Sequence, residues 1–144
     1  MTEKYLIFTV REKRYALPSK IISEAAKLDK VFPLPLVPDY VRGIINRYGV
    51  PYALIDISSL FFRETSKAQK VIVLKEEIDK LAFLIDDVTD FADISAEELI
   101  KTESEENDFS GSINAYFEWK DTNVFCLDHE ELISMIKRDF GSEQ

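Results

Sequence analysis

The chain has 144 residues, a formal charge of −9, 46% hydrophobic and 12% aromatic residues, which suits one domain or two small lobes on a shared core and excludes a mostly disordered chain. With 4 Gly and 5 Pro it is neither collagen-like nor dominated by linkers. Its longest apolar runs fall short of the ~20 residues a bilayer span needs, and the absence of a basic–apolar–small opening leads us to expect no secretory signal.

Most segments repeat with period two, the signature of strands. Tyr5-Leu6-Ile7-Phe8-Thr9-Val10, the turn Arg11-Glu12-Lys13 and Arg14-Tyr15-Ala16-Leu17 predict a hairpin. Residues 21–28 fit strand or helix. Residues 31–38 hold Pro33, Pro35 and Pro38, so an extended connector is expected there. A strand over 41–47 contains Gly43, Gly49 marks a turn, and 52–57 reads as a buried strand. One helical turn is predicted over 58–62, then a polar loop over 63–67.

The second half follows the same grammar. Strands are predicted over 70–74, 81–86 and 88–94, the middle one apolar throughout and therefore buried on both faces. Ser95-Ala96-Glu97-Glu98 is a capping box with Ile94 and Leu99 at the staple positions, predicting a short helix. Residues 101–110 are polar and acidic, hence a loop. Ile113, Ala115, Phe117 and Trp119 share one strand face, and Val124-Phe125-Cys126-Leu127 returns beyond a turn at 120–123. A final helix is capped by Asp128, stapled by Leu127 and Leu132, striped by Leu132, Met135, Ile136 and Phe140, and closed at Gly141. About nine strands and one good helix make an all-β chain, arranged as barrels or a sandwich.

Candidate chemistry is sparse. Asp56, Asp86, Asp87 and Asp90 are not brought together by any pattern, and aspartates at strand ends usually cap turns. Asp86-Asp87-Val88-Thr89-Asp90 lacks the spacing and Gly of a calcium loop. One cysteine and one histidine offer no internal disulfide and no His-based metal site. Cys126 reads as a small core hydrophobe, His129 as solvent-exposed and Trp119 as core. Neither a Gly-rich phosphate cradle nor a nucleophile elbow is present, so no catalytic residue, cofactor or metal is expected. The reading is a reduced, cytoplasmic protein.

Charge is uneven along the chain. Residues 1–75 carry 13 basic and 7 acidic side chains, and residues 76–144 carry 5 and 20. The acidic half repels phosphate and argues against nucleic acid, while the polarity favours a charged protein partner.

The segment Val41-Arg42-Gly43-Ile44-Ile45-Asn46, with Gly49 and then Ile55-Asp56, is informative. Gly43 allows a close backbone approach and Asn46 suits a turn. At these residues the sequence resembles the CheW-like family, the adaptors of bacterial chemotaxis. Tyr5-Leu6-Ile7-Phe8, Tyr15-Ala16-Leu17-Pro18, residues 33–41, Leu84-Ile85-Asp86-Asp87-Val88 and residues 111–128 are similar to further family segments in the same order. The resemblance implies one domain over residues 1–144, built as two small five-stranded β-barrels of SH3-like or OB-like kind around a shared core, with a C-terminal helix. It implies no catalysis and no membrane insertion. It implies a bridge between the regulatory domain of a CheA-type histidine kinase and the cytoplasmic tip of a methyl-accepting chemoreceptor, in arrays near the inner membrane.

Two departures stand out. Where the family has Leu-Arg before the last Gly of its signature, this chain has Arg47-Tyr48, and the usual Pro is Ala53. The resemblance places that family Arg, with an apolar-x-Glu segment matched here by Ile22 and Glu24, in the region used for receptor contact. The expectation is that Arg47 or Arg42 supplies the displaced charge, or that the receptor is divergent. Candidate anchors are Ile22, Tyr48 and Tyr52, oriented by Glu24 and Arg42; Arg42 also has a reading as a pin inside the domain. Gly43, Asn46, Gly49, Asp56 and Asp86 are expected to be structural. The alternatives are an adaptor of another chemosensory pathway, an isolated kinase regulatory domain, and, outside this class, a small β-barrel ligand-binding or nucleic-acid module.

Overall fold

The computed structural model describes residues 1–101 and 112–142. The described residues form eleven strands: β1 (Thr2–Val10), β2 (Lys13–Pro18), β3 (Ile22–Lys27), β4 (Val41–Arg47), β5 (Val50–Asp56), β6 (Lys70–Leu74), β7 (Leu81–Ile85), β8 (Asp87–Ser95), β9 (Ile100–Lys101), β10 (Ile113–Trp119) and β11 (Thr122–Leu127). Two helices join them, α1 (Ile57–Phe62) and α2 (His129–Ser142). The strands make a six-stranded sheet ordered β8-β1-β2-β11-β10-β9 and a five-stranded sheet ordered β3-β6-β7-β5-β4.

The all-β fold is as expected, with refinements. The sixth strand of the larger sheet, β9, is two residues long. Among the described residues no ladder joins the end strands of either sheet, so the barrels are curled sheets rather than closed rings. The five-stranded unit is inserted between β2 and β8: beyond it, β8 returns to pair antiparallel with β1, and β11 pairs parallel with β2. The charge split by sequence halves therefore does not map onto the lobes. Residues 22–85, the five-stranded lobe, carry 9 basic and 8 acidic side chains; the remainder carries 9 and 19. The basic β1–β2 hairpin lies inside the acidic sheet.

Apolar residues on one face of each sheet meet in a shared centre. Leu6, Phe8, Tyr15 and Leu17 of the larger sheet join Ile55, Ile72 and Phe83 of the smaller, and α2 adds Leu132 and Ile136. Each sheet buries a second cluster inside its own curl: Ile7, Phe117, Val124 and Cys126 in one, Ile45, Tyr52, Leu54 and Leu84 in the other. Strands buried on both faces follow from this arrangement, as in β7, where all five residues are buried. Cys126 lies here, and burial raises its thiol pKa to about 12.

Hairpin turns set the registers. Arg11 and Glu12 (φ 51° and 69°), Tyr48 and Gly49 (φ 55° and 84°), and Lys120 and Asp121 (φ 50° and 63°) each form a two-residue loop with both residues left-handed. That is the type I′ geometry, whose twist matches the flanking strands. Only one of the three contains Gly, so the usual signal is weak in the others.

The connector after β3 covers the seam of the smaller sheet. Phe32 exchanges two backbone hydrogen bonds of 2.8 Å with Ile44, and the Leu28 amide donates to the Gln69 carbonyl at 2.6 Å. Gly43 makes this possible. Its φ is +140°, and a Cβ there would lie 2.3 Å from the Phe32 carbonyl oxygen.

Three local expectations change. The capping box at Ser95 exists, with its amide donating to Glu98 Oε1 at 2.9 Å, and the short helix it opens is a single 3-10 turn over Ala96–Glu98. Ile100 and Lys101 pair with β10, which draws the chain back into the sheet. α2 runs one residue past Gly141, and His129 in its first turn is partly buried. The Asp128 cap is present, accepting from the Glu131 amide at 3.2 Å. The loop expected over 101–110 lies almost wholly outside the described residues.

Candidate partner-binding surface

The five-stranded lobe has two different ends, and β4 reaches both. At its first end, Arg42 donates to Asp56 Oδ2 at 3.2 Å and to the Ser66 carbonyl at 3.1 Å. Asp56 is fully buried, caps α1 by accepting from the Ser59 amide at 3.2 Å, and accepts from the Ser66 amide at 2.9 Å. One carboxylate thus fixes a strand end, a helix start and the following loop. Arg42 takes the pinning role here. Asp86 does similar work where the sheets meet, accepting from the Arg11 amide at 2.7 Å. Both aspartates hold turns, as strand-end aspartates are expected to.

At the other end β4 turns into β5. Asn46 Oδ1 accepts from the Gly49 amide at 2.9 Å, closing the tight loop. Tyr48 occupies the first left-handed position and is 88% exposed. Arg47 reaches across the seam to Glu24 on β3 in a two-pronged pair, Nε to Oε2 at 3.1 Å and a terminal nitrogen to Oε1 at 3.0 Å. β3 and β4 are the two end strands of the sheet, so this pair links them where no backbone ladder does. The geometry uses the planar fork of Arg, which an ammonium does not reproduce. Hydrogen bonding to Glu24 holds the Arg47 pKa above its ordinary value, against the smaller cost of burial. The Arg47 guanidinium also lies 5.5 Å from the centre of the Tyr48 ring.

The remaining sequence candidates sit around this pair at different depths. Ile22 is partly buried against the shared core. Tyr52 is only 6% exposed; its ring belongs to the inner cluster of the lobe, and it lines a shallow cavity of about 300 Å³ with Glu24, Arg47 and Tyr48. The structure thus gathers Ile22, Glu24, Arg47, Tyr48 and Tyr52 at one end and leaves Arg42 at the other. Of the two candidate arginines, Arg47 is the one that stands beside Tyr48 and pairs with Glu24.

Sequence reasoning missed Glu76 and Glu77, which line the same cavity from the β6–β7 turn. Burial, followed by the carboxylates of Glu76, Glu24 and Glu77, pushes the Tyr52 hydroxyl pKa up. The available signal was topological: in a β3-β6-β7-β5-β4 sheet, the β4–β5 and β6–β7 turns fall at the same end.

Among the described residues, no three His, Cys, Asp or Glu side chains are grouped to hold a metal, and no helix is long and apolar enough to cross a membrane. The surface offers an exposed aromatic, an ordered ion pair and nearby carboxylates, which suits binding to another polypeptide.

Comparison with known proteins agrees with this architecture. Residues 4–137 match the sequence model of the CheW-like domain. A chemotaxis protein CheW from Klebsiella aerogenes is 26% identical over 100 residues, which are 67% of this chain and 60% of that protein, so the match spans less than two thirds of the relative. The crystal structure of the scaffolding protein TtCheW from Thermoanaerobacter tengcongensis superposes with a TM-score of 0.78 at 19% identity, covering 89% of this chain and 85% of that one, and shares the fold. With the family match running through both sheets and into α2, this chain belongs to the CheW-like domain family.

Proposed function

We propose that this chain is a non-enzymatic adaptor that couples methyl-accepting chemoreceptors to a CheA-type histidine kinase by binding both. The observation that carries this reading is the end of the five-stranded lobe. There the Glu24–Arg47 pair orders the rim, and the turn it supports presents Tyr48 almost fully to solvent. Membership of the CheW-like family supports the same reading, because the bridge between receptor tip and kinase regulatory domain is what the resemblance implies.

In this mechanism no bond is made or broken. The receptor-tip hairpin docks against Tyr48 and the neighbouring rim, while another face of the domain engages the kinase regulatory domain. An aromatic anchor beside ordered charges supplies affinity through Tyr48 and register through Glu24 and Arg47. Arg47, paired with Glu24, takes the place of the family Arg in organising the receptor-facing turn. The working location is the cytoplasmic face of a receptor array.

The test is a three-component binding experiment with a receptor-tip hairpin and a kinase regulatory domain, added singly and together. Each is expected to bind alone, and the two together are expected to form a ternary complex. Mutually exclusive binding, or failure to bind the hairpin, contradicts coupling.

A further inference from the structure

We infer that Asp90 is a two-position latch at the mouth of the six-stranded sheet: Lys120 holds it outward, and once Lys120 lets go it turns inward to the buried donors of Arg14 and Trp119. This goes beyond the coupling reading and does not depend on it.

The register puts these groups together. Residues opposite one another on neighbouring strands share a face. Asp90 on β8 is opposite Ile7, and Arg14 on β2 is opposite Val124. Ile7 and Val124 lie in the cluster inside the curl of this sheet, and Trp119 packs against that cluster. The inner face thus carries a guanidinium, a carboxylate and an indole N–H at one end of an apolar cluster.

Two of the donors there are unmet. Arg14 Nη1 and Trp119 Nε1 are both buried, and among the described residues neither has a hydrogen-bond partner. Such donors are rare, because each keeps the full cost of leaving water. The acceptor beside them is Asp90. Lys120 does most to hold the Asp90 pKa below the ordinary carboxylate value, and Trp119 and Arg14 pull the same way, which places both near it. Asp90 Oδ1, however, accepts from Lys120 Nζ at 3.1 Å. The Lys120 side chain is 64% exposed and that of Asp90 23%, so the carboxylate stands between a cation in water and two donors that water does not reach.

The outward hold is weak, since an exposed ion pair gains little over hydration of its two ends. Turning inward draws the carboxylate further from water, which costs, but its oxygens have acceptor sites for both buried donors. With Lys120 in place the outward position stands; without it the balance falls inward. Arg14 stays a guanidinium in either position. The consequence is mechanical. Outward, Asp90 ties the β10–β11 turn, where Lys120 is the first loop residue, to β8, an end strand of its sheet. Inward, β8 stays fastened to β2 through Arg14 and the turn is released. A contact that takes up the Lys120 ammonium, such as a carboxylate on a partner protein, is therefore felt at Trp119 and frees the turn from β8.

Trp119 is the only tryptophan, so the protein has one indole N–H resonance to follow. In Lys120→Gln that proton is expected to move downfield and its exchange with water to slow by about tenfold, the signature of a newly made hydrogen bond. The Lys120 ammonium also lies 5.9 Å from the centre of the Trp119 ring, so its loss alone can displace the resonance. The same change is therefore made in an Asp90→Ala background, where neither the hydrogen-bond shift nor the slowing is expected. An indole unmoved in Lys120→Gln, or moved equally with and without Asp90, overturns the latch. A crystal structure of Lys120→Gln decides the matter even where Asp90→Ala does not fold: a carboxylate bonded to Arg14 Nη1 or Trp119 Nε1 supports the latch, and one left facing solvent overturns it.

Discussion

Two arginines five residues apart on one strand have opposite fates. Arg42 turns toward a fully buried carboxylate and is spent on holding α1 and its loop. Arg47 turns to a partly exposed carboxylate on the far end strand and holds a rim that faces solvent. The difference lies in what the partner carboxylate can do without its cation. Asp56 has no access to water, so its acceptors must be met internally; Glu24 keeps some hydration. The closed end is therefore a matter of stability, and the open end is where binding can act without unfolding the domain.

The largest expected effect breaks the closed end. Asp56→Ala removes the acceptor of Arg42, Ser59 and Ser66 at once. It is expected to cost about 3–4 kcal/mol of unfolding free energy in a urea titration. A cost under about 1 kcal/mol shows that the network is not holding that end.

Next comes the seam between the two ends. Gly43→Ala places a methyl group against the Phe32 carbonyl at a backbone angle that Ala tolerates poorly. An expected loss of about 2–3 kcal/mol, with faster amide exchange at Phe32 and Ile44, marks the connector lifting from β4. Unchanged exchange at both amides contradicts the closure described here.

At the open end the losses are smaller and of a different kind. Glu24→Gln keeps the shape but removes the charge that Arg47 grips. About 1 kcal/mol of stability is expected to go, together with a several-fold loss of receptor-hairpin affinity in calorimetry. Equal losses of stability for Glu24→Gln and Asp56→Ala erase the distinction between the ends.

The smallest change in stability has the opposite sign. Tyr48 holds a left-handed backbone, where Asn or Gly is less strained. Tyr48→Asn is expected to raise stability by about 0.5–1 kcal/mol while weakening hairpin binding. A variant that gains stability and keeps full affinity removes Tyr48 from the interface.

Much of this was legible from local sequence. The β1–β2 hairpin, the proline-bound connector, the doubly buried β7 and the capped last helix all follow from short-range patterning and turn chemistry. The site was legible in part. Glu24 and Arg47 stood out by pattern, and Gly43 and Asn46 by the backbone they permit. What stayed hidden depends on pairings distant in sequence. The nesting of one sheet within the other arises from β8 returning to β1 and β11 pairing with β2, long-range ladders that carry no local signal. Glu76 and Glu77 read only as turn residues until topology set their turn beside Tyr48. Arg11-Glu12 and Lys120-Asp121 adopt a turn geometry that Gly or Asn usually announces, and the flanking ladders impose it instead.

The most direct test is a hydrogen-exchange footprint of a receptor-tip hairpin on this protein. Slowed exchange is expected over residues 22–24, 47–52 and 75–77, with the Arg42–Asp56 end unchanged. A footprint on the closed end, or on the six-stranded lobe alone, contradicts the assignment of receptor binding to the open end.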